Sequence, residues 1–291
     1  MRNIVLLTGI TGYLGSYIAS ELVNRGDVVI GLKRSDSDLT RIKRIINKLI
    51  LYDIDNVDYI YLFSQHQIDI IIHTATCYGR NGESPSEIFD SNLLFPMRLL
   101  EVAQSYNIAG FINSDTVSPR TLNNYSRSKK MFVEWAREFS INNKVKFINV
   151  IMEHMYGPGD SKSKFVSYIL HSLYNNTPEI SLTSGKQKRD FIYIADVISA
   201  YMVLVDGLHK LDEYYEDVDL GSGQVIKIRD LVERIHQLTR SSTILKFGDI
   251  PYRNNEIMHS QSDISLIKGL GWSPTITLDE GIKLMIKEDF K

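Results

Sequence analysis

The sequence predicts a doubly wound α/β fold with a parallel sheet, followed by a smaller C-terminal α/β domain. Two observations predict it. Ile4, Val5, Leu6 and Leu7 form a short apolar run that suits a strand buried on both faces, and a glycine-rich turn and helical periodicity (Tyr17, Ile18, Leu22, Val23) follow at once. Strand-like runs then recur at 28–32, 49–52, 68–73 and 111–113.

Composition agrees. A chain of 291 residues, 43% hydrophobic, can bury one large core or two joined ones. A net charge of -2 and a pI near 6.4 make no electrostatic case for nucleic acid. The single cysteine, Cys77, excludes an internal disulfide framework and points to a reducing compartment. No apolar run approaches the roughly 18 residues of a membrane span, and the N-terminus opens on a strand rather than a leader. A soluble cytoplasmic protein that engages no membrane is expected.

The first turn runs Thr8, Gly9, Ile10, Thr11, Gly12, Tyr13, Leu14, Gly15. A dinucleotide pyrophosphate needs bare backbone amides at a helix N-terminus, and the three glycines supply a tight turn, a close approach and a close helix–strand contact. Thr8, Gly9, Thr11, Gly12, Tyr13, Leu14 and Gly15 are therefore candidate cofactor residues of a Rossmann-type domain. The second strand ends in Lys33, Arg34 and Ser35, where an NAD site usually carries an acid. Two cations and a hydroxyl suit a 2′-phosphate, so NADPH is expected; the alternative is a solvated basic turn continuing into Arg41, Lys43, Arg44 and Lys48.

Asp53, after the third strand, could meet an adenine amino group. The fourth strand ends in His73, Thr74, Ala75 and Thr76, the last three small enough to let the cofactor lie close. His73 has no partner at metal-binding spacing and reads as a core histidine, and no metal site is expected. Cys77, Tyr78, Gly79 and Arg80 begin a polar loop at the carboxyl end of the sheet, where substrates bind. A long amphipathic helix is expected over 88–106, with Asn92 in reach of that loop.

The fifth strand leads into Ser114, Asp115 and Thr116, and Tyr125 and Lys129 then lie four apart on one face of a helix. A phenol of pKa about 10 is a poor acid or base at neutral pH, and a nearby ammonium would lower that value. A hydroxyl from the strand end can hold the reacting oxygen. With 16 tyrosines, such a pair could arise by chance. Its place after the fifth strand of a glycine-fingerprint fold makes it a candidate proton-transfer site.

These motifs resemble the extended short-chain dehydrogenase/reductase family of nucleotide-sugar epimerases, dehydratases and reductases. The carrying features are Thr8-Gly9-x-x-Gly12-x-x-Gly15, Tyr125-x-x-x-Lys129, Tyr156-Gly157-Pro158-Gly159-Asp160, Arg189-Asp190-Phe191 with Tyr193 and Asp196, and Leu270-Gly271-Trp272. More narrowly the chain is similar to the CDP-abequose and CDP-paratose synthases, through Cys77-Tyr78-Gly79-Arg80, Glu153-His154-Met155-Tyr156-Gly157, Thr183-Ser184-Gly185 and Asn255-Glu256-Ile257-Met258. The resemblance implies that Tyr125 is the general acid, Lys129 its partner and ribose contact, and Thr116 the carbonyl-orienting hydroxyl. An alignment on Val117 selects Ser114 instead.

The usual Val-Tyr-Gly ending of that strand is replaced by Val117, Ser118 and Pro119. A homodimer through the helices near Ile88 and Tyr125 is also implied.

Domains are expected at 1–155 and 156–291, with segments near 188–205 returning to the first. Helices are expected at 165–173, 225–238 and 278–286, a short strand at 180–182, and a strand turning into a helix over 192–204. Nucleotide-sugar binding is assigned to Cys77, Tyr78, Arg80, Asn92, Glu153, His154, Lys164, Phe165, Arg189, Arg253 and Glu256. The two arginines suit a pyrophosphate because their planar fork matches phosphate oxygens.

The expected activity is NADPH-dependent reduction of the C4 ketone of a CDP-4-keto-3,6-dideoxyhexose, giving abequose or paratose for surface polysaccharide. The rivals are a 4-epimerase or 4,6-dehydratase of the same fold and a non-catalytic NADP sensor. Dehydration calls for a Thr-Asp-Glu run, whereas here Asp115 precedes Thr116 and Val117 follows it.

Overall fold

The computed structural model describes residues 2–143 and 145–290. The chain forms two compact units, Met1–Ile151 with Tyr201–Val218, and Met152–Ala200 with Asp219–Lys291. The break thus falls at 151 rather than 155, and the returning segment is 201–218 rather than 188–205.

The first unit is built on β1 (Ile4–Thr8), α1 (Tyr13–Arg25), β2 (Val28–Lys33), β3 (Leu49–Asp53), α2 (Tyr59–Gln65), β4 (Ile70–His73), α3 (Pro85–Phe89), α4 (Phe95–Ala103), β5 (Gly110–Thr116), α5 (Asn124–Asn143) and β6 (Phe147–Met152). The second comprises β7 (His154–Tyr156), α6 (Phe165–Tyr174), β8 (Glu179–Leu182), β9 (Lys188–Tyr193), the start of α7 (Ile194–Gly207), β11 (Val225–Lys227), α8 (Ile228–Thr239), β12 (Ile244–Phe247), α9 (Ser265–Gly269) and α10 (Leu278–Asp289). Between α7 and β11 in sequence, β10 (Tyr215–Leu220) completes a seven-stranded sheet of order β10-β6-β5-β4-β1-β2-β3. No apolar run marks β10; burial alternates, with Val218 and Leu220 inward, so it reads as an ordinary edge.

Val5 pairs in parallel with Val29 on one side and Ile70 on the other, and Val5, Leu6 and Leu7 are fully buried. Strand order reverses between β1 and β4, and at such a switch point a crevice opens at the carboxyl ends of the strands. No helix among the described residues is long and apolar enough to cross a membrane.

The helix expected over 88–106 begins earlier and is interrupted. A π-turn at Asp90–Leu94 separates α3 from α4. Pro96 explains the interruption: it has no amide hydrogen, and its ring would strike the carbonyl four residues back, at Asn92. The basic stretch at 41–48 forms only short 3₁₀ turns. The helix expected from Val225 starts at Ile228, because Val225–Lys227 pairs antiparallel with β9.

Two acids of the Arg189-to-Asp196 motif hold the second unit together. Asp190 is fully buried and accepts from the Ser222 amide (2.8 Å) and hydroxyl (2.5 Å) and the Gly223 amide (2.9 Å). Asp196 accepts from the Thr275 amide (3.0 Å) and hydroxyl (2.8 Å) and the Ile276 amide (2.9 Å). Asp190→Ala leaves several partly buried donors without their acceptor at once, so it is expected to cost about 2–5 kcal/mol. Urea denaturation checks this, and an unchanged midpoint would refute the assignment of Asp190 as the hub.

Candidate active site

Gly9, at φ 68°, packs against β4: a Cβ there would lie 2.7 Å from the Ala75 nitrogen. At Gly15 a Cβ would lie 2.2 Å from the Gly9 carbonyl oxygen, so only glycine lets α1 close on the turn. Gly12 is the N-cap of α1, and no side chain caps the helix there. A backbone cradle of this shape, with the positive end of a 13-residue helix behind it, fits a dinucleotide pyrophosphate. Thr11 and Tyr13 are half-buried on this turn, whereas Leu14 turns into the core and lends only its backbone.

Two threonines expected to meet the cofactor are occupied by protein. The Thr8 hydroxyl accepts from the Thr74 and Ala75 amides (3.2 Å each), so its own proton goes to His73 Nδ1 at 2.8 Å. Thr74 Oγ1 donates to the Thr8 carbonyl at 2.7 Å. Both side chains fasten β1 to β4 and shape the floor of the crevice. This pattern leaves the His73 proton on Nε2, buried without a hydrogen-bond partner among Phe95, Phe111 and Phe132. Burial, then the Lys129 charge, pushes the His73 pKa well below its ordinary value, which keeps the ring neutral.

The end of β2 is also partly committed. Lys33 forms an ion pair with Asp53, the residue expected to meet the adenine. The Ser35 amide and hydroxyl both donate to Asp55, at 2.8 and 2.7 Å. Arg34 extends into solvent, 3.5 Å from Asp36.

At the end of β5 and the start of α5 the catalytic candidates converge. Thr116 makes a hydroxyl contact with the Tyr125 phenol and accepts from the Ser118 amide at 3.2 Å. Ser114 turns away, its hydroxyl 2.5 Å from that of buried Tyr201. Asn92, expected to bind substrate, is fully buried with its amide saturated. Its oxygen accepts from the Cys77 amide (2.7 Å) and Thr76 hydroxyl (3.2 Å), and its nitrogen donates to the Cys77 carbonyl (2.8 Å) and Ser128 hydroxyl (3.0 Å). Ser128 in turn donates to the Tyr125 carbonyl at 2.9 Å. Asn92 is therefore a brace between the loop and α5, and the π-turn is what aims it there.

With Cys77 clamped through both backbone groups, Tyr78 lies over Tyr125, ring centroids 4.8 Å apart. Arg80 sits 5.0 Å from the Tyr78 ring on the same loop.

Burial, and secondarily Tyr78, pushes the Tyr125 phenol far above its ordinary pKa, with Thr116 pulling it partly back. Lys129 is 1% exposed and drops to about 8, chiefly by burial. The sequence-based expectation that the ammonium lowers the phenol is thus reversed: desolvation wins. At neutral pH the phenol carries its proton and is available as a donor.

In the second unit, buried Glu153 accepts from the Ser260 hydroxyl at 2.5 Å and orients exposed His154 through a 3.0 Å contact with Nδ1. Arg189 and Glu256, both assigned to substrate, pair with each other at 2.7 Å. Arg253 is exposed, Lys164 is 3.1 Å from Asp160, and Phe165 lies exposed at the start of α6. No cluster of potential metal ligands occurs among the described residues. Sequence reasoning passed over Lys130, Asp115 and Ser128 as braces of the site, since only the fold brings their partners near.

A family profile described as NAD dependent epimerase/dehydratase family matches residues 5–216. A CDP-abequose synthase of Salmonella muenchen is 34% identical over 97% of this chain and 96% of its own length, and one of Salmonella typhimurium is 30% identical over 99% and 98%. A UDP-glucose 4-epimerase from Stenotrophomonas maltophila, solved with bound NAD, superposes with a TM-score of 0.85 at 21% identity, covering 99% of this chain and 98% of that one.

Removing the ring of Tyr78 should hydrate Tyr125 and lower its raised pKa, so that phenolate forms at lower pH. Phenolate absorbance of the chain minus that of its Tyr125→Phe form isolates this residue. The difference signal is expected to be absent near pH 10, where free tyrosine is half-ionised, and present there in Tyr78→Ala; identical titrations would refute the role of Tyr78.

Proposed function

Since the chain belongs to the NAD dependent epimerase/dehydratase family, we propose that it is an NADPH-dependent reductase of the C4 ketone of CDP-4-keto-3,6-dideoxyglucose. The reading is carried by likeness to CDP-abequose synthases along nearly the whole chain. In that direction Tyr125 would serve as the acid, since reduction of a ketone needs a proton donor.

NADPH, when bound, supplies the hydride. The Gly9-Gly12-Gly15 turn holds its pyrophosphate, Lys129 its ribose, and Arg34 the 2′-phosphate. Thr116 orients the ketone oxygen, and Tyr125 hands its proton to that oxygen as the C–H bond forms. Arg189 and Arg253 are assigned to the substrate pyrophosphate, His154 to the sugar, and Lys164 and Phe165 to the base. The product is CDP-abequose or CDP-paratose, a cytoplasmic precursor of O-antigen or similar surface polysaccharide.

One observation favours a second reading. The carboxylates of Asp53 and Asp55 engage Lys33 and Ser35, leaving fewer groups for a 2′-phosphate, and an NAD-dependent 4-epimerase would need none. A dehydratase finds less support, because Asp115 is held by Lys130 rather than poised as a second acid.

The test follows NADPH absorbance with CDP-4-keto-3,6-dideoxyglucose and assigns the product by the H4 coupling in its NMR spectrum. Oxidation is expected, and Tyr125→Phe should slow it about 10²–10⁴-fold. Inertness together with co-purified NAD would replace the reductase by the epimerase. A Tyr125→Phe chain with its biological activity intact would indicate a non-catalytic NADP sensor.

A homodimer through the helices around Ile88 and Tyr125 is part of the same reading. Trp135 on α5 is 60% exposed and Leu94 on the adjoining π-turn 40%, apolar side chains that a partner helix would cover. Sedimentation should give a dimer that Trp135→Glu dissociates, and a monomeric parent chain would end that part of the reading.

A further inference from the structure

The strand end beneath the candidate catalytic threonine holds one carboxylate and faces two lysines. Asp115 is 4% exposed. Its Oδ2 receives the Lys130 ammonium at 2.6 Å and, more distantly, the Asn149 amide at 3.4 Å; the same Asn149 nitrogen donates to Asp217 at 2.8 Å. Its Oδ1 is buried and has no hydrogen-bond partner. Lys130 also donates to the Thr116 carbonyl at 2.7 Å, so one ammonium ties the second turn of α5 to both the acid and the backbone of β5. Lys129, next in the chain, is buried and lies within the field of Asp115.

A buried carboxylate with an open oxygen is a strong trap for any nearby cation. Lys129 is such a cation, yet the proposed chemistry needs its ammonium facing a ribose. In the resting arrangement it is Lys130 that pairs with the acid, at 2.6 Å.

We infer that Lys130 is a positioning residue that occupies Asp115 and so keeps Lys129 available to the dinucleotide. The inference rests on the reading of Lys129 as the ribose contact. It gives Lys130 a purpose separate from strand–helix packing, because what matters is the charge it cancels. Removing Lys130 alone should draw Lys129 toward Asp115. Removing the acid as well should release it.

The experiment titrates NADPH and NADH fluorescence on the full chain, on Lys130→Met, on Asp115→Asn and on the double variant, with urea unfolding run alongside. Lys130→Met is expected to weaken dinucleotide binding about tenfold or more. The double variant is expected to recover to within about threefold of the parent, since the acid that would draw Lys129 away is removed together with the lysine that neutralised it. It also keeps the test open should Lys130→Met fail to fold. A double variant that folds but binds as weakly as Lys130→Met, or more than about tenfold below the parent, would overturn the inference and leave a packing role. Parent-like binding by Lys130→Met would overturn it too. A parent chain that bound neither dinucleotide would instead overturn the cofactor reading, and this inference with it.

Discussion

A parallel sheet covered by helices on both faces can offer chemistry only at its strand ends, and the molecule is arranged around that constraint. The interiors of β1, β2 and β4 are apolar and closed, so the polar residues accumulate where each strand stops: Thr8, Lys33 and His73, and on β5 Asn113 through Thr116. Most of these groups do not face outward to a ligand. They hold one strand end against the next, through Thr8 to His73, Thr74 to Thr8 and Lys33 to Asp53, or against a covering helix, through Ser114 to Tyr201 on α7. A smaller number, Thr116 and Tyr125 chief among them, meet where substrate chemistry is proposed.

Burying charge and phenol together has an electrostatic cost, and the site turns that cost to use. Desolvation keeps Tyr125 protonated and lowers Lys129 to about 8, so a proton donor sits beside a cation that is only moderately basic. Such a pair suits a reaction in which negative charge develops on oxygen and must be quenched at once. It would suit proton abstraction less well until a bound positive ring changed the local field.

Local features of this fold were legible in the sequence, and distant pairings were not. The glycine turn could be read because strand, turn and helix are consecutive, and the Tyr125–Lys129 spacing because a helix repeats every 3.6 residues. Choosing between Thr116 and Ser114 required knowing that Tyr201 comes to rest against Ser114. The partners of Asn92, Arg189 and Glu256 lie 15 to 67 residues away in sequence, so neither the Asn92 brace nor the Arg189–Glu256 pair could be read from spacing. The reversed pKa of Tyr125 has the same origin: spacing shows the lysine, while only packing reveals how dry the phenol is.

The π-turn at Asp90–Leu94 also makes the length of its helix a matter of phase. Each residue of an α-helix rotates the next by about 100°, so a one-residue deletion that relaxed the turn to regular α-geometry would swing Asn92 off Cys77 and Ser128 without shortening any visible loop. Within these five residues, register behaves like a reading frame.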